Sequence, residues 1–257
     1  LTDTTNRAAT FSGKLYHQFF DSMSFRMSFR ANDPRRGLLV LNTTKKDNSL
    51  FYGKVIANAS GTVNGDVDNL VLRFQGEPTD SSHIYLPTSD SRVTGTADFI
   101  VFRKYGKEMK VESQIKKTSN MLVDLDITAN PLAKVDLILD EVTNDIIQGQ
   151  GYGNLNIRTS TVEGTTMAGR YNITNGKYTF NWQKVFKKQF LIDNGSVEWS
   201  GDPYNAQINI DAKYITPSIA LPQDLAQGCS SNERRPITLI SNLSGTLSNP
   251  VINFRFE

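Results

Sequence analysis

Apolar and polar residues alternate with period two along most of the chain, and single glycines or Asx-Gly pairs punctuate the alternation. Phe25, Met27 and Phe29 alternate with Ser24, Arg26, Ser28 and Arg30. Met121, Val123, Leu125 and Ile127 alternate with Leu122, Asp124, Asp126 and Thr128, and Val135, Leu137 and Leu139 face away from Asp136 and Asp140. Ile208 and Ile210 oppose Gln207, Asn209 and Asp211, and at the end Ile252, Phe254 and Phe256 oppose Asn253 and Arg255. Period two is the signature of strands that bury one face only. The pattern is densest from Asp145 to Tyr214. About eighteen candidate strands follow, which side by side at ~4.8 Å would make a sheet of roughly 85 Å. Where that apolar face goes decides what the protein does.

Turn residues separate the runs: Asn32-Asp33-Pro34, Asn64-Gly65-Asp66, Asn130-Pro131, Asn175-Gly176, Asn194-Gly195 and Gly201-Asp202-Pro203. Helix signals are confined to Trp182, Val185 and Phe186 at helical spacing and to a turn or two in Leu221 to Gln227, both too short to cover a sheet. Strict alternation predicts that Asp124, Asp126, Asp136, Asp140, Asn156, Asn209 and Asp211 point to solvent. A bulge is expected near Gly149 to Gly153, because glycines inside a strand mark bulges or close backbone approach.

Hydrophobic residues at 38% and charged residues at 21% exclude a disordered chain. The 28 basic and 26 acidic residues give a net charge of +2, and doublets such as Arg35-Arg36, Lys45-Lys46, Lys187-Lys188 and Arg234-Arg235 are scattered. Scattered cations read as solvated faces, so no nucleic-acid partner is expected. Cys229 is the only cysteine, which excludes an internal disulfide. No apolar run approaches the ~18–20 residues of a membrane span. The chain begins at Leu1 and stops at Glu257 directly after a strand, so it is expected to be a piece of something longer.

Catalytic patterns are missing. His17 and His83 have no carboxylate at metal-ligand spacing. Asp124 and Asp126 are explained as the wet face of a strand, and neither they nor Asp66 and Asp68 belong to a full calcium loop. Gly149, Gly151 and Gly153 are followed by no helix that could offer its N-terminus to a phosphate. No serine elbow is present and Cys229 has no nearby base. No enzyme activity, cofactor or metal is expected.

The central stretch also carries a family signature. It runs Asp145-Ile146-Ile147, Gly149, Gly151, Gly153-Asn154-Leu155, then Gly169-Arg170-Tyr171 and Gly176-Lys177-Tyr178-Thr179-Phe180. It continues through Lys188-Gln189-Phe190, Gly195-Ser196-Val197-Glu198-Trp199, Gly201-Asp202-Pro203 and Ala212-Lys213-Tyr214. Upstream, Leu50-Phe51-Tyr52-Gly53 and Ile84-Tyr85-Leu86-Pro87 suit it; downstream, Arg235-Pro236-Ile237 and Leu243 to Pro250 do. Together these resemble the C-terminal DUF490 domain of TamB, the translocation and assembly module protein of diderm bacteria, in its Bacteroidota-like form. The resemblance is best from about residue 50 to 256, and the first forty residues match in character only.

The resemblance implies an all-β fold: a long, curved, U-shaped open sheet, the β-taco, forming a single elongated domain over residues 1–257 with an apolar groove inside. It implies a periplasmic lipid-transfer conduit that moves phospholipid or another acyl-chain ligand toward the outer membrane. The full-length protein is then expected to be anchored in the inner membrane and to reach the outer one. The groove would be lined by Phe25, Met27, Phe29, Leu70, Leu72, Phe74, Val123, Leu125, Ile127, Val135, Leu137, Leu139, Leu155, Ile157, Ile208 and Ile210. The alternative is a chaperone or docking scaffold for outer-membrane protein assembly with an Omp85-type, TamA-like barrel. Its docking strand would hold Val251, Ile252, Phe254 and Phe256.

Overall fold

The computed structural model describes residues 2–4, 6–19, 22–31, 33, 35–48, 50–79, 82–87, 103–104, 107–108, 120–182, 186–216, 219–220 and 234–256. Every regular element among the described residues is a strand. The first six are β1 (Ala9–Gln18), β2 (Ser22–Ala31), β3 (Leu38–Thr43), β4 (Tyr52–Asp66), β5 (Asn69–Pro78) and β6 (Ser82–Pro87). Next come β7 (Arg103–Lys104), β8 (Lys107–Glu108), β9 (Asn120–Ala129), β10 (Ala133–Asp140), β11 (Asp145–Ser160) and β12 (Gly164–Trp182). The last six are β13 (Phe186–Gly201), β14 (Gln207–Ile215), β15 (Ile219–Ala220), β16 (Arg234–Arg235), β17 (Thr238–Thr246) and β18 (Asn249–Phe256). Fourteen of them form one mixed sheet, and β7 with β8 and β15 with β16 are separate short ladders.

The main path through the sheet is β1-β2-β4-β5-β9-β11-β12-β13-β14-β17-β18. Two long strands share their edges between shorter partners. The far part of β4 pairs with β2 and β5, while its near part pairs with β3 and β6. In β11, Gly153 to Ser160 pair with β9 and Asp145 to Gly149 with β10. The sheet therefore has two arms that meet in the middle of these strands. Parallel pairing of β5 with β9 and of β6 with β10 joins the N-terminal half to the C-terminal half, and all other neighbours are antiparallel.

Alternation places apolar and polar rungs side by side. Phe11, Phe29, Gly61, Phe74, Leu125, Ile157 and Met167 are successive partners across seven strands of one arm. One residue along, the rung reads Arg30, Ser60, Gln75, Asp126, Asn156, Ala168 and Ser200. On that outer face the Asn156 side-chain amide donates to both Asp124 and Asp126, each at 2.8 Å. The sheet is curved. The Phe180 and Phe254 rings lie 6.0 Å apart although β13, β14 and β17 separate their strands, where a flat sheet would hold those strands ~19 Å apart.

Bulges supply part of the bend. Registers shift between Leu39 and Leu41, Ile138 and Asp140, Gln150 and Gly151, and Ile192 and Asn194. At Gly151 an added Cβ would sit 1.9 Å from the Asn172 carbonyl oxygen, so only glycine fits there. Several sequence expectations are corrected by these long, bent strands. Asn175-Gly176 lies within β12 and Asn194-Gly195 within β13, beside bulges rather than at hairpin turns. Asn64 and Gly65 still belong to β4, and the chain reverses at Val67 and Asp68. Trp182 and Phe186 are partners across the β12–β13 connection instead of neighbours on a helix. Asn130-Pro131 and Gly201-Asp202-Pro203 do flank reversals, while Leu221 to Gln227, Val185, Asn32 and Pro34 lie outside the described residues.

Asp126 and Asn209 are exposed, and Asp124, Asp140, Asn156 and Asp211 are half-buried. Asp136 departs from the expectation, being only 4% exposed. Its strand, β10, is central, between β6 and β11, and aromatic side chains roof the outer face there. Tyr52 stacks on Tyr85 with centroids 5.0 Å apart, and His83 lies against Tyr85 at 4.3 Å. Beneath them His83 Nε2 stands 3.0 Å from Asp136 Oδ1, and Gln148 donates to the other carboxylate oxygen at 3.0 Å. No spacing in the sequence links two groups so far apart along the chain.

Candidate functional site

Both arms contribute to one cavity of about 690 Å³ on the concave face of the sheet. One wall carries Phe29, Phe74, Leu125, Leu155 and Ile157, and the other Leu39, Leu41, Val55, Ile84 and Val135. Between them the floor is built from small residues, Ala57, Ala59, Gly76, Pro78 and Ala133. The side chains are almost wholly apolar, and the volume is within the ~300–1,000 Å³ typical of small-molecule sites. Gly61 keeps the wall smooth. A Cβ there would lie 2.2 Å from the Phe74 ring and 2.9 Å from that of Phe29, and the two rings meet edge-on over it at 5.6 Å.

Of the residues expected to line a groove, Phe29, Phe74, Leu125, Ile127, Val135, Leu155 and Ile157 are on this cavity. Phe25, Met27, Leu70, Leu72 and Val123 have the same parity on the same strands and continue the inner face beyond the cavity wall, half-buried. Leu137, Ile208 and Ile210 instead belong to the packed core of the C-terminal half, with Leu139 packed against it. They fill the interior there because Tyr171, Ile173, Tyr178, Phe190, Val197, Trp199 and Leu243 crowd the same space. Sequence reasoning missed the floor and, Val135 apart, the second wall. The run Val55, Ala57, Ala59, Gly61 in β4 was the available signal, since alternate positions that shrink leave room above them.

Tyr171 marks the boundary between cavity and core. It lines the cavity, yet its hydroxyl is buried with no hydrogen-bond partner, and desolvation pushes its pKa up to about 12. The Tyr178 hydroxyl, deeper in the core, is also unpartnered, and burial and then the Asp145 charge push its pKa up. Neither phenol is placed for acid–base chemistry. Among the described residues no group of three or more His, Cys, Asp or Glu is arranged to hold a metal, and no helix is long and apolar enough to cross a membrane. Cys229 lies outside the described residues.

The proposed docking strand is β18, at one end of the sheet path among the described residues, where it pairs with β17. Val251, Phe254 and Phe256 are exposed, Phe256 by 75%. Ile252 packs against the core, and the Phe254 ring also reaches Phe190 at 6.2 Å.

Fold and cavity together define an all-β protein in which one curved sheet encloses an apolar space. The family model of the TamB C-terminal domain matches residues 1–257, the whole chain. The chain belongs to that family, and the match takes in the first forty residues as well. The family is associated with the bacterial envelope and with outer-membrane assembly or biogenesis. No curated protein matches the chain in sequence.

Proposed function

We propose that this domain is a conduit for acyl lipids in the periplasm, holding phospholipid chains in its cavity on their way to the outer membrane. The observation that carries this reading is the cavity itself: about 690 Å³ of apolar space between the arms of one sheet. Each methylene withdrawn from water contributes ~0.8 kcal/mol, so an acyl chain gains by entering such a space. A wall of near-uniform apolar character offers no deep trap, so chains slide while headgroups remain in water. No chemistry is needed, and direction is supplied by whatever loads and unloads the ends. Anchoring of the full-length protein in the inner membrane fits this role.

The test is mass spectrometry of an organic extract of the purified domain, expressed in a diderm host. Co-purifying phospholipid in a reproducible molar ratio supports the conduit; an empty, folded domain refutes it.

A second reading has its own observation. As the last strand of the sheet path among the described residues, β18 with its exposed Val251, Phe254 and Phe256 suits strand addition by an Omp85-type barrel, which would make the domain a docking scaffold for outer-membrane protein assembly. A pull-down with such a barrel that survives lipid depletion, and is lost on deleting β18, favours this scaffold role.

A further inference from the structure

The arm that carries Phe29, Phe74 and Leu125 ends along one edge of the sheet in the β1–β2, β4–β5 and β11–β12 turns, with the start of β9 between the last two. Each turn sets out a large apolar side chain: Phe19 is 93% exposed, Val162 77% and Val67 58%, and Met121 at the start of β9 is exposed too. The turns themselves are made by other residues. Asp66 accepts from the Asp68 and Asn69 N–H groups at 3.0 and 2.7 Å, and Ser160 Oγ from those of Val162 and Glu163 at 3.1 and 3.3 Å. Phe19 has a φ of 51°, a left-handed conformation that glycine or asparagine adopts at lower cost. The tips are also tied together: the Asn120 N–H donates to the Asp68 carbonyl at 2.6 Å, and that of Thr161 to the Met121 carbonyl at 3.1 Å.

Behind the tips the inner face is apolar all the way down to the cavity. Leu70 and Met121 are partners nearest the edge, Leu72 and Val123 come next, and Phe74 and Leu125 stand on the cavity wall. The edge carries Asp66, Asp68 and Glu163 and neither Lys nor Arg; Phe20 and Asp21, next to Phe19, lie outside the described residues. Lys14, Arg26, Arg73 and Arg158 stand further back on the outer face, where Asp124 is the direct strand partner of both Arg73 and Arg158. Separate apolar tips with carboxylates between them do not make the contiguous patch of roughly 800 Å² a side that a stable protein interface buries. A fluid bilayer surface takes such side chains singly, and binding grows with the apolar area inserted. Carboxylates beside the tips suit ammonium headgroups rather than an anionic surface.

We propose that this edge docks on a zwitterionic phospholipid bilayer, with Phe19, Val67, Met121 and Val162 dipping among the headgroups, and that the apolar slope behind them is where an acyl chain passes between bilayer and cavity. This rests on the lipid reading above and adds to it the surface through which the conduit meets a membrane.

The experiment floats the purified chain with phosphatidylcholine vesicles and compares Phe19→Asn, Val67→Thr and Val162→Thr, singly and together. Each valine change removes one inserted methyl and lowers partitioning about fourfold; the triple change lowers it at least about fiftyfold. Asparagine relieves the backbone at position 19, so the melting temperature holds or rises while binding falls. Leu132→Thr, at the β9–β10 turn where the arms meet and as exposed as Val67, leaves partitioning unchanged. Absence of binding by the unaltered chain, or equal binding by the triple variant, overturns the docking edge. Binding that needs phosphatidylglycerol and is lost in salt assigns the contact to the cations of the outer face and overturns it as well. A triple variant that turns a dimer into a monomer without altering vesicle binding makes the edge a contact between copies of the chain, with the same consequence. Lipid content of the purified chain is read separately: a chain that is empty but binds vesicles through the tips loses the conduit and keeps the docking edge, and a loaded chain that ignores vesicles does the reverse.

Discussion

The two halves of the sheet share one sequence pattern and end in different states. In the C-terminal half the inward side chains close on one another: Tyr178, Phe190, Ile210 and Leu243 are fully buried. In the N-terminal half the inward face stays open, and Phe11 and Leu15 are 49% and 48% exposed. Alternation runs through both, so its presence alone is not the cause. Volume is. Above the floor of Ala57, Ala59, Gly76 and Pro78 there is empty space, whereas the corresponding positions of β12 and β13 carry Tyr171, Ile173, Tyr178, Phe190 and Trp199. Curling of the last strands then brings Phe254 onto Phe180 and Phe190. Interiors pack to near-crystalline density when side chains can fill them; a floor of small residues between rigid arms prevents that here.

The sharpest way to break this comparison is to place the same charge in each half. Ile210→Arg buries a cation in the core with no partner, and we expect the domain not to fold, since such burial costs at least several kcal/mol. Leu125→Arg points into the cavity, where the guanidinium keeps part of its hydration. Its melting temperature should fall by only a few degrees while co-purifying lipid is lost. Asn156→Arg, on the outer face between Asp124 and Asp126, is the control and should retain both fold and lipid. If Leu125→Arg unfolds as Ile210→Arg does, the N-terminal half is ordinary core and the comparison fails.

Truncating aromatics asks the same question more gently. Phe190→Ala should cost ~3–5 kcal/mol in urea unfolding, because the tightly packed core cannot collapse onto the gap. Phe74→Ala, half-buried on the cavity wall, should cost about 1–2 kcal/mol, mostly lost contact with Phe29. Equal costs would mean that the cavity is filled by side-chain rearrangement in solution.

How far these two states can be read from the sequence follows from what period two encodes. It encodes which face of each strand is apolar, and so it sets Phe29, Phe74, Leu125, Ile127, Val135, Leu155 and Ile157 inward, where they line the cavity. It carries no count of how many apolar faces converge, and Ile208 and Ile210 therefore look like groove residues until the large side chains of β12 and β13 are seen to fill the space. Glycine pairs are legible as special positions but not as to kind: Asn175-Gly176 and Asn194-Gly195 bend long strands where the pattern predicts a hairpin. Asp136 escapes the pattern because parallel pairing of β6 with β10 brings His83 and Tyr85 over it, a contact between distant segments that no local pattern records.

The smallest effect concerns the boundary between the halves. Burial raises the Tyr171 pKa to about 12, from ~10 in an unfolded chain. The folded state thus favours the neutral phenol, and its contribution to stability is complete below pH ~10. As pH rises further the unfolded chain ionises first, stability falls, and the fall ends near the folded value. That difference between the folded and unfolded phenol corresponds to roughly 2–3 kcal/mol at the far end of the window and to nothing at neutral pH. Tyr171→Phe removes a hydroxyl that has no partner, so at neutral pH its melting temperature should equal or slightly exceed that of the unaltered domain. From pH ~10 to ~12 it should lose less stability, and urea unfolding across that range measures the difference. Parallel curves for the two proteins would mean that the Tyr171 hydroxyl reaches water, in which case the open half extends past Tyr171 into the packed side chains of the C-terminal half.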